Sequence, residues 1–124
     1  MPHAAFLTRR NKLTRVRTQI LSVAISPVQN RIASGGDDGR LFVTDSVTGD
    51  VKFSCDAHKF WIRCVTYSPD GTMIATCSDD SSISIWDSDD GSCLLGPLDC
   101  GVGAVLSIAF SPDGKVLISG NAHS

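Results

Sequence analysis

Glutamate is absent from this 124-residue chain, and all thirteen acidic residues are aspartates. No apolar run approaches the length needed to span a membrane, and no segment keeps the helical spacing of apolar residues. The short aspartate side chain hydrogen-bonds to the backbone of tight turns. These absences argue against helices and against a membrane segment, and they favour a chain of strands and turns.

Paired cysteine motifs are also missing. The cysteines are odd in number, at Cys55, Cys64, Cys77, Cys93 and Cys100, and no C-x-x-C pair or secretory signal accompanies them. We therefore expect reduced, largely buried thiols in an intracellular protein, cytoplasmic with the nucleus as the alternative. A zinc site using Cys55 and His58 would need two distant ligands, so we expect no metal and no cofactor.

Charge is divided unevenly along the chain. Residues 1–19 hold five basic residues and no acid, whereas residues 20–124 carry a net charge of −7. A negative body disfavours nonspecific binding of nucleic acid. We predict that 1–19 is a flexible basic arm or a degenerate strand of a preceding repeat. A transit peptide or a phosphate-binding arm are the alternatives.

Three segments are near copies of one another. Ile25-Ser26-Pro27, Tyr67-Ser68-Pro69 and Phe110-Ser111-Pro112 recur at offsets of 42 and 43 residues, and an alternating apolar run precedes each. A period in the low forties with period-two hydrophobicity is typical of stacked small β-sheets, which usually bind partners. Turn signals place strands near 20–26, 31–35, 40–45 and 51–55, near 61–67, 73–77, 82–86 and 92–95, and near 104–110 and 116–120.

The second repeat carries a recognisable order of polar residues. His58 precedes it, Ser68-Pro69-Asp70-Gly71 follows its first strand, and Trp86-Asp87 ends its third. In this order and spacing, residues 20–124 resemble the WD-repeat family of β-propellers. The resemblance implies an all-β, incomplete propeller of about two and a half antiparallel blades, with limits near 20–56, 57–98 and 99–124. The run 95–98 with 107–115 also resembles repeats of fungal NACHT-type signalling ATPases.

The resemblance further implies a hydrogen-bonded tetrad of His58, Thr76, Asp80 and Trp86 in the second blade. Aspartate would accept from the histidine ring, which contacts the threonine hydroxyl, which meets the indole N–H. A hydrolytic triad is the alternative for a histidine, an acid and a hydroxyl, but no nucleophile elbow is present. We therefore expect a structural role and no catalytic residue.

The other two repeats depart from the tetrad. In the first, Ser34 and Asp38 match, but Thr44 stands in the tryptophan position and Val16 in the histidine position. In the third, Ser119 matches, whereas Gly101 replaces the histidine and His123 the turn aspartate. Only the second blade is expected to have its full polar cluster.

Propellers of this family generally bind partners at the turn after the second strand and the loop before the first. These positions carry Asp37, Trp61, Arg63 and Asp79, and Gln19 and Ala104 are equivalent to Trp61. Tryptophan beside arginine is typical of an interface hot spot, although Trp61 packing on a neighbouring blade is the alternative. We expect Asp37 and Asp79 to point to solvent, free to meet a basic partner.

The sequence thus predicts a non-enzymatic scaffold for protein–protein contacts. The alternative is a sensor segment of a NACHT-type signalling ATPase whose catalytic domain lies outside this chain. Because known propellers close with about 4–8 blades, we expect a fragment of a longer repeat protein, or a chain that is completed by other copies or other chains.

Overall fold

The structure, a computed structural model, describes the backbone of residues 4–7 and 13–16 and all of residues 19–101 and 103–121. These residues form strands and turns without a helix, and every strand pair is antiparallel, so the all-β prediction is confirmed. The strands are β1 (Ala4–Leu7), β2 (Leu13–Val16), β3 (Ile20–Ile25), β4 (Arg31–Gly36), β5 (Arg40–Asp45), β6 (Val51–Asp56), β7 (Ile62–Tyr67), β8 (Met73–Ser78), β9 (Ser82–Asp87), β10 (Cys93–Asp99), β11 (Val105–Phe110) and β12 (Leu117–Asn121).

The strands form four separate sheets. The first blade is β3-β4-β5-β6 and the second blade is β7-β8-β9-β10, each paired in chain order. The third sheet is β11-β12, and the N-terminal hairpin is β1-β2. This is the incomplete propeller that was predicted. The hairpin falls within the segment for which the sequence offered an arm or a degenerate strand, and the proposed domain limits stay a prediction.

The Ser-Pro-Asp-Gly turns explain why the first and second strands of a repeat pair so regularly. Asp70 accepts hydrogen bonds from the Ser68 hydroxyl at 2.7 Å and the Thr72 N–H at 3.0 Å. Gly71 follows in the left-handed region, with φ of 75°, which glycine adopts without steric cost. The same serine-to-aspartate bond, at 2.6 Å, recurs at Asp113 in the third sheet.

Two apolar cores lie between successive sheets. Between the first and second blades, Leu41 and Val43 pack with Val65 and Tyr67, and all four are buried. Between the second blade and the third sheet, the core includes Ala75, Cys77, Ile83, Val105 and Ile108. The second blade, which lies between the two cores, is therefore buried on both faces along much of β7, β8 and β9.

The outward faces of the stack are exposed. Val23 and Ile25, equivalent by repeat to the buried Val65 and Tyr67, are 55% and 75% exposed. At the other end, Ile118, equivalent to the buried Ala75, is 66% exposed. The difference arises because no described residues cover these two faces.

The five cysteines are free thiols, but their burial differs from the expectation. Cys77 is buried in the second core, whereas Cys93 is exposed because it lies on β10, the outer edge strand of the second blade. The other three are partly buried. In the described residues, no helix is long and apolar enough to cross a membrane.

Candidate functional site

The structure brings the side chains of the expected tetrad together inside the second blade. The Trp86 indole N–H donates to Thr76 Oγ1 at 2.9 Å, and Thr76 Oγ1 lies 2.7 Å from His58 Nε2. The other ring nitrogen, Nδ1, lies 3.3 Å from Asp80 Oδ2, and an ionised carboxylate can only accept. The imidazole therefore carries its proton on Nδ1, and Nε2 accepts from the Thr76 hydroxyl.

That Nδ1–H faces a serine and an aspartate. It lies 2.9 Å from Ser82 Oγ and 3.3 Å from Asp80 Oδ2. The Ser82 hydroxyl in turn donates to the Asp80 carboxylate, which also accepts the Ser82 N–H at 2.9 Å. The sequence analysis missed Ser82. Its signal was its place two residues after Asp80, where an aspartate turn puts its acceptor. We call these five residues (His58, Thr76, Asp80, Ser82 and Trp86) the polar cluster.

Burial sets the charge state of His58. Desolvation lowers the pKa of this imidazole below its ordinary 6.5, although the neighbouring Asp80 opposes the shift. The His58 side chain is fully buried, and that of Asp80 is 17% exposed. Removing a charged imidazole from water outweighs the attraction to a carboxylate 3.3 Å away. His58 is neutral in the folded state at neutral pH, as the hydrogen bonds also require.

Two strands and two connecting segments position the cluster. Thr76 lies on β8, Trp86 on β9, and Asp80 in the turn between them. His58 lies in the loop between β6 and β7, and its backbone N–H donates to the Gly39 carbonyl in the first blade at 3.0 Å. The cluster therefore joins the inside of one blade to a turn of its neighbour.

The geometry gives the cluster a structural task. A triad nucleophile needs an accessible hydroxyl beside its base, whereas Thr76 is 0% exposed and its oxygen is already hydrogen-bonded to Trp86. Every polar side-chain atom buried here has a partner, which avoids about 1–3 kcal/mol for each unsatisfied group. The arrangement can hold the blade together.

The equivalent positions of the other sheets lack this network. Ser34 is buried, and its Oγ has no hydrogen-bond partner within the described part of the chain. Thr44 is also buried, while Asp38 is exposed and accepts from the Arg40 N–H at 3.0 Å. In the third sheet, Ser119 is exposed. The side chain of Val16 and all of His123 lie outside the described residues.

The expected partner-binding residues of the second blade form one compact patch. The Arg63 guanidinium lies 4.9 Å from the centre of the Trp61 ring. Arg63 Nε and Nη2 donate to the two carboxylate oxygens of Asp79 at 2.6 and 3.0 Å. Trp61 is 40% exposed and its neighbour Phe60 59%. We call Phe60, Trp61, Arg63 and Asp79 the Trp61 patch; the sequence analysis did not single out Phe60.

One expectation about this patch is wrong. Asp79 is not free for a basic partner, because Arg63 on the adjoining strand already binds it with both nitrogens. Arg63 lies at the register shift between Ile62 and Cys64, and Asp79 directly follows Ser78, the residue opposite Ile62 at the end of β8, so both flank the same strand pair.

The equivalent positions in the first blade make the same backbone hydrogen bond as Asp79 and Trp61. The Asp37 N–H donates to the Gln19 carbonyl at 2.9 Å, as the Asp79 N–H donates to the Trp61 carbonyl at 3.0 Å. Asp37, Gln19 and Ala104 are each partly buried. Asp37 and Gln19 thus repeat the backbone geometry of Asp79 and Trp61 without the aromatic ring.

Comparison with known proteins agrees with this geometry. The family model "WD domain, G-beta repeat" matches residues 11–45, 49–87 and 92–124. WD repeat-containing protein 1 of Mus musculus is 35% identical over 91 residues, covering 72% of this chain and 15% of the relative. WD repeat and SOCS box-containing protein 1 of Homo sapiens is 33% identical over 89 residues, covering 71% and 21%.

The name of a third relative does not mention WD repeats. The serine-threonine kinase receptor-associated protein of Gallus gallus is 31% identical over 84 residues, covering 68% of this chain and 24% of the relative. The chain thus spans less than a quarter of the length of these relatives. The family model matches most of the chain, and the chain belongs to the WD-repeat family.

Proposed function

We propose that this chain is a non-enzymatic scaffold for protein–protein contacts. Membership of the WD-repeat family supports an interaction scaffold at the general level. The polar cluster supports the non-enzymatic part, because the two hydroxyls beside its histidine, those of Thr76 and Ser82, are both buried and hydrogen-bonded within the cluster.

The observation that carries the proposal is the Trp61 patch. Tryptophan and arginine are the residues most enriched in interface hot spots. Here the two-point ion pair with Asp79 holds Arg63, and Arg63 lies against the Trp61 ring. An ordered exposed aromatic loses little conformational freedom when a partner covers it. The patch is therefore a preorganised anchor.

The charges of the patch indicate what kind of partner surface fits it. Because Asp79 compensates Arg63, the aromatic part offers no net charge, so we infer that an apolar or aromatic side chain of the partner covers Trp61 and Phe60. In the first blade, Asp37 supplies a carboxylate at the equivalent turn, where a basic side chain of the partner could bind.

The experiment is a comparison of captured partners. The chain and its Trp61→Ala variant are immobilised, proteins from cell extract are cross-linked on them, and the bound set is quantified by mass spectrometry. Leu94→Ala is the matched control, because Leu94 is 51% exposed on the outer strand β10. We expect Trp61→Ala to lose specific partners that Leu94→Ala retains. Equal partner sets, with equal melting temperatures, would reject the patch as the binding surface.

The alternative function, a sensor segment of a NACHT-type signalling ATPase, stays a prediction of the sequence. A nucleotide-binding motif upstream in the same gene would support it. An intracellular, cytoplasmic location is likewise a proposal, tested by imaging the tagged protein in cells.

A further inference from the structure

Two cysteines lie directly opposite each other in the second blade. Cys64 on β7 and Cys77 on β8 are register partners, next to the register shift that follows Ile62. Side chains of opposite residues in an antiparallel pair point to the same face of the sheet. Cys77 belongs to the core between the second blade and the third sheet, and Cys64 packs against that core. The two side chains are hydrogen-bonded to each other.

The backbone spacing of such a pair suits a disulfide. Opposite residues in an antiparallel ladder have Cα atoms about 4.5 or 5.5 Å apart, and disulfides span Cα distances of about 4.4–6.8 Å. The Cβ atoms of opposite residues lie about 4.5–5.5 Å apart, whereas a disulfide needs about 3.5–4.5 Å. The strands must therefore approach by up to about 1 Å. The register shift beside Cys64 eases this movement, because the ladder is locally disrupted there.

The two thiols differ as a reactive and a resolving cysteine differ. The hydrogen bond from Cys77 lowers the pKa of the Cys64 thiol, although burial opposes this shift. The same hydrogen bond, together with burial, raises the pKa of the Cys77 thiol. Cys64 is partly exposed on β7, an edge strand of its sheet, whereas Cys77 is 0% exposed. An oxidant therefore meets the Cys64 thiolate first, and the Cys77 sulfur is its neighbour.

The pair lies between two neighbouring sheets that the structure describes. β3 of the first blade and β11 of the third sheet both contact β7. The Cys64 thiol donates to the Ile108 carbonyl on β11 at 3.8 Å, and the Val65 N–H donates to Ser22 Oγ on β3 at 3.1 Å. Both cysteines belong to the second blade itself. Their pairing therefore does not depend on which repeats precede or follow the residues described.

We propose that Cys64 and Cys77 are a site of reversible oxidation, at which a hydroperoxide converts the two thiols into a disulfide between β7 and β8. The Cys64 thiolate attacks a peroxide oxygen, so that an S–O bond forms, the O–O bond breaks and the leaving hydroxide takes up a proton. The Cys77 sulfur then attacks the Cys64 sulfur. The S–S bond forms, the S–O bond breaks, and the Cys77 proton leaves with the oxygen as water. With hydrogen peroxide, the thiols lose two electrons and two protons in total, and the peroxide becomes two molecules of water.

The disulfide links the two strands that carry the Trp61 patch. Arg63 directly precedes Cys64, and Asp79 lies two residues after Cys77. Oxidation thus ties β7 to β8 at the place where the ion pair of the patch already joins them. This inference goes beyond the scaffold function and does not depend on it. Its tests measure thiols, whereas the scaffold function is tested by partner capture, so the two can fail separately.

The first test maps the disulfide in the purified, reduced chain after treatment with one equivalent of hydrogen peroxide. Remaining thiols are alkylated, and a protease that cleaves before aspartate places each cysteine on its own peptide: 50–55, 56–69, 70–78, 90–98 and 99–112. Mass spectrometry should find 56–69 linked to 70–78 and the other three peptides alkylated. Free thiols should fall from five to three, and dithiothreitol should restore all five.

Two results of this mapping would overturn the proposal. Peptides 56–69 and 70–78 that stay separate and alkylated, while the exposed Cys93 is oxidised, would show that the pair does not react. A link between 70–78 and 99–112 would assign Cys100, which packs against the same core, as the partner of Cys77.

The second test separates the roles of the cysteines. Cys64→Ser should leave the buried Cys77 reduced under the same treatment, because the thiolate that reacts first is gone. Cys100→Ser is the matched control, since Cys100 is also partly buried against this core, and it should keep the link between 56–69 and 70–78. Oxidation of Cys77 at an unchanged rate in Cys64→Ser, or loss of the link in Cys100→Ser, would contradict these roles.

The unmodified chain in urea gives a readout that needs no variant. If the fold creates the pair, unfolding should slow the linking of 56–69 to 70–78 at least tenfold and spread disulfides over the other cysteines. An equal rate and an equal pattern in the folded and unfolded chain would show that the register of β7 and β8 does not direct the reaction.

Discussion

The first and second blades have the same strand order, yet among the described residues only the second has the hydrogen-bonded polar cluster. Thr76 bonds to both His58 and Trp86, whereas its equivalent in the first blade, Ser34, is buried with an oxygen that no described residue reaches. Both sheets nevertheless pair in the same register and share one apolar core. Alternating apolar residues and tight turns therefore suffice to form a blade, and the polar cluster adds stability and uniqueness to a sheet that already exists.

The turn between the second and third strands differs in the same way. Gly39 in the first blade and Ser81 in the second both have positive φ, of 73° and 69°. Serine is strained in this conformation, at a cost of about 1–2 kcal/mol. Its hydroxyl, however, donates to the Gly103 carbonyl at 2.7 Å, tying the turn to the loop before the third sheet. The second blade thus adds a side-chain bond toward the next sheet at a position where the first blade bonds only through the Gly39 carbonyl, which accepts from the Ala57 and His58 N–H groups.

The largest difference should appear when the tryptophan of the cluster is removed. Trp86 is 7% exposed and packs in the core between the blades. We expect Trp86→Ala to lower the free energy of unfolding by about 3–5 kcal/mol, the range for a buried aromatic. Urea unfolding followed by far-UV circular dichroism measures this change without depending on tryptophan emission.

Trp61→Ala is the control for that change, because it removes the same side chain from an exposed position. Its cost should be well below that of Trp86→Ala. If the two variants lose equal stability, or if Trp61→Ala loses more, the division between a structural and a surface tryptophan is wrong.

A smaller effect should separate the two equivalent hydroxyls. Thr76→Val keeps the shape of the side chain but leaves His58 Nε2 and the Trp86 N–H without their partner, so we expect a loss of about 1–3 kcal/mol. Ser34→Ala removes a hydroxyl that has no described partner, and it should be neutral or stabilising. The same urea titrations measure both.

A larger loss of stability in Ser34→Ala than in Thr76→Val would overturn the comparison between the blades. A large loss in Ser34→Ala would mean that the first blade has a hydrogen bond to this serine from outside the described residues. A neutral Thr76→Val would mean that the cluster contributes little beyond packing.

The sequence predicted the strands of both blades well, because alternation over six residues is a strong local signal. It placed His58, Thr76 and Trp86 by their spacing within one repeat. The role of Ser82 in the cluster was not predicted, because a serine after an aspartate turn looks like ordinary turn sequence. The pairing of Arg63 with Asp79 depends on a register shift between strands, and a short strand such as β1 has too few residues to show a period. The sequence therefore could not predict contacts that depend on strand register or on edge position.

The cluster should also make stability depend on pH. The pKa of His58 is lowered in the folded state by desolvation, so the unfolded chain takes up a proton more readily as the pH falls below the ordinary value of 6.5. Stability is thus fully present above that pH and declines from there toward the lower folded pKa. We expect the urea concentration at the unfolding midpoint to decrease as the pH is lowered from 7.5 to 5.5.

His58→Gln is the control for this pH effect, because it removes the titrating ring and keeps a polar side chain. Its urea midpoint should be lower at pH 7.5 and nearly flat across the same interval. An equal slope in both proteins would assign the pH dependence to another group.

The smallest effect should come from the ion pair of the Trp61 patch. Arg63 and Asp79 side chains are 34% and 28% exposed, so water screens much of their attraction. We expect Arg63→Ala to cost about 1 kcal/mol or less, near the upper end for such pairs. Its effect on partner capture should be far larger, because Trp61 loses the group that orders it. If Arg63→Ala lowers the free energy of unfolding by several kcal/mol and leaves partner capture unchanged, the patch has a structural role in the second blade and is not the binding surface.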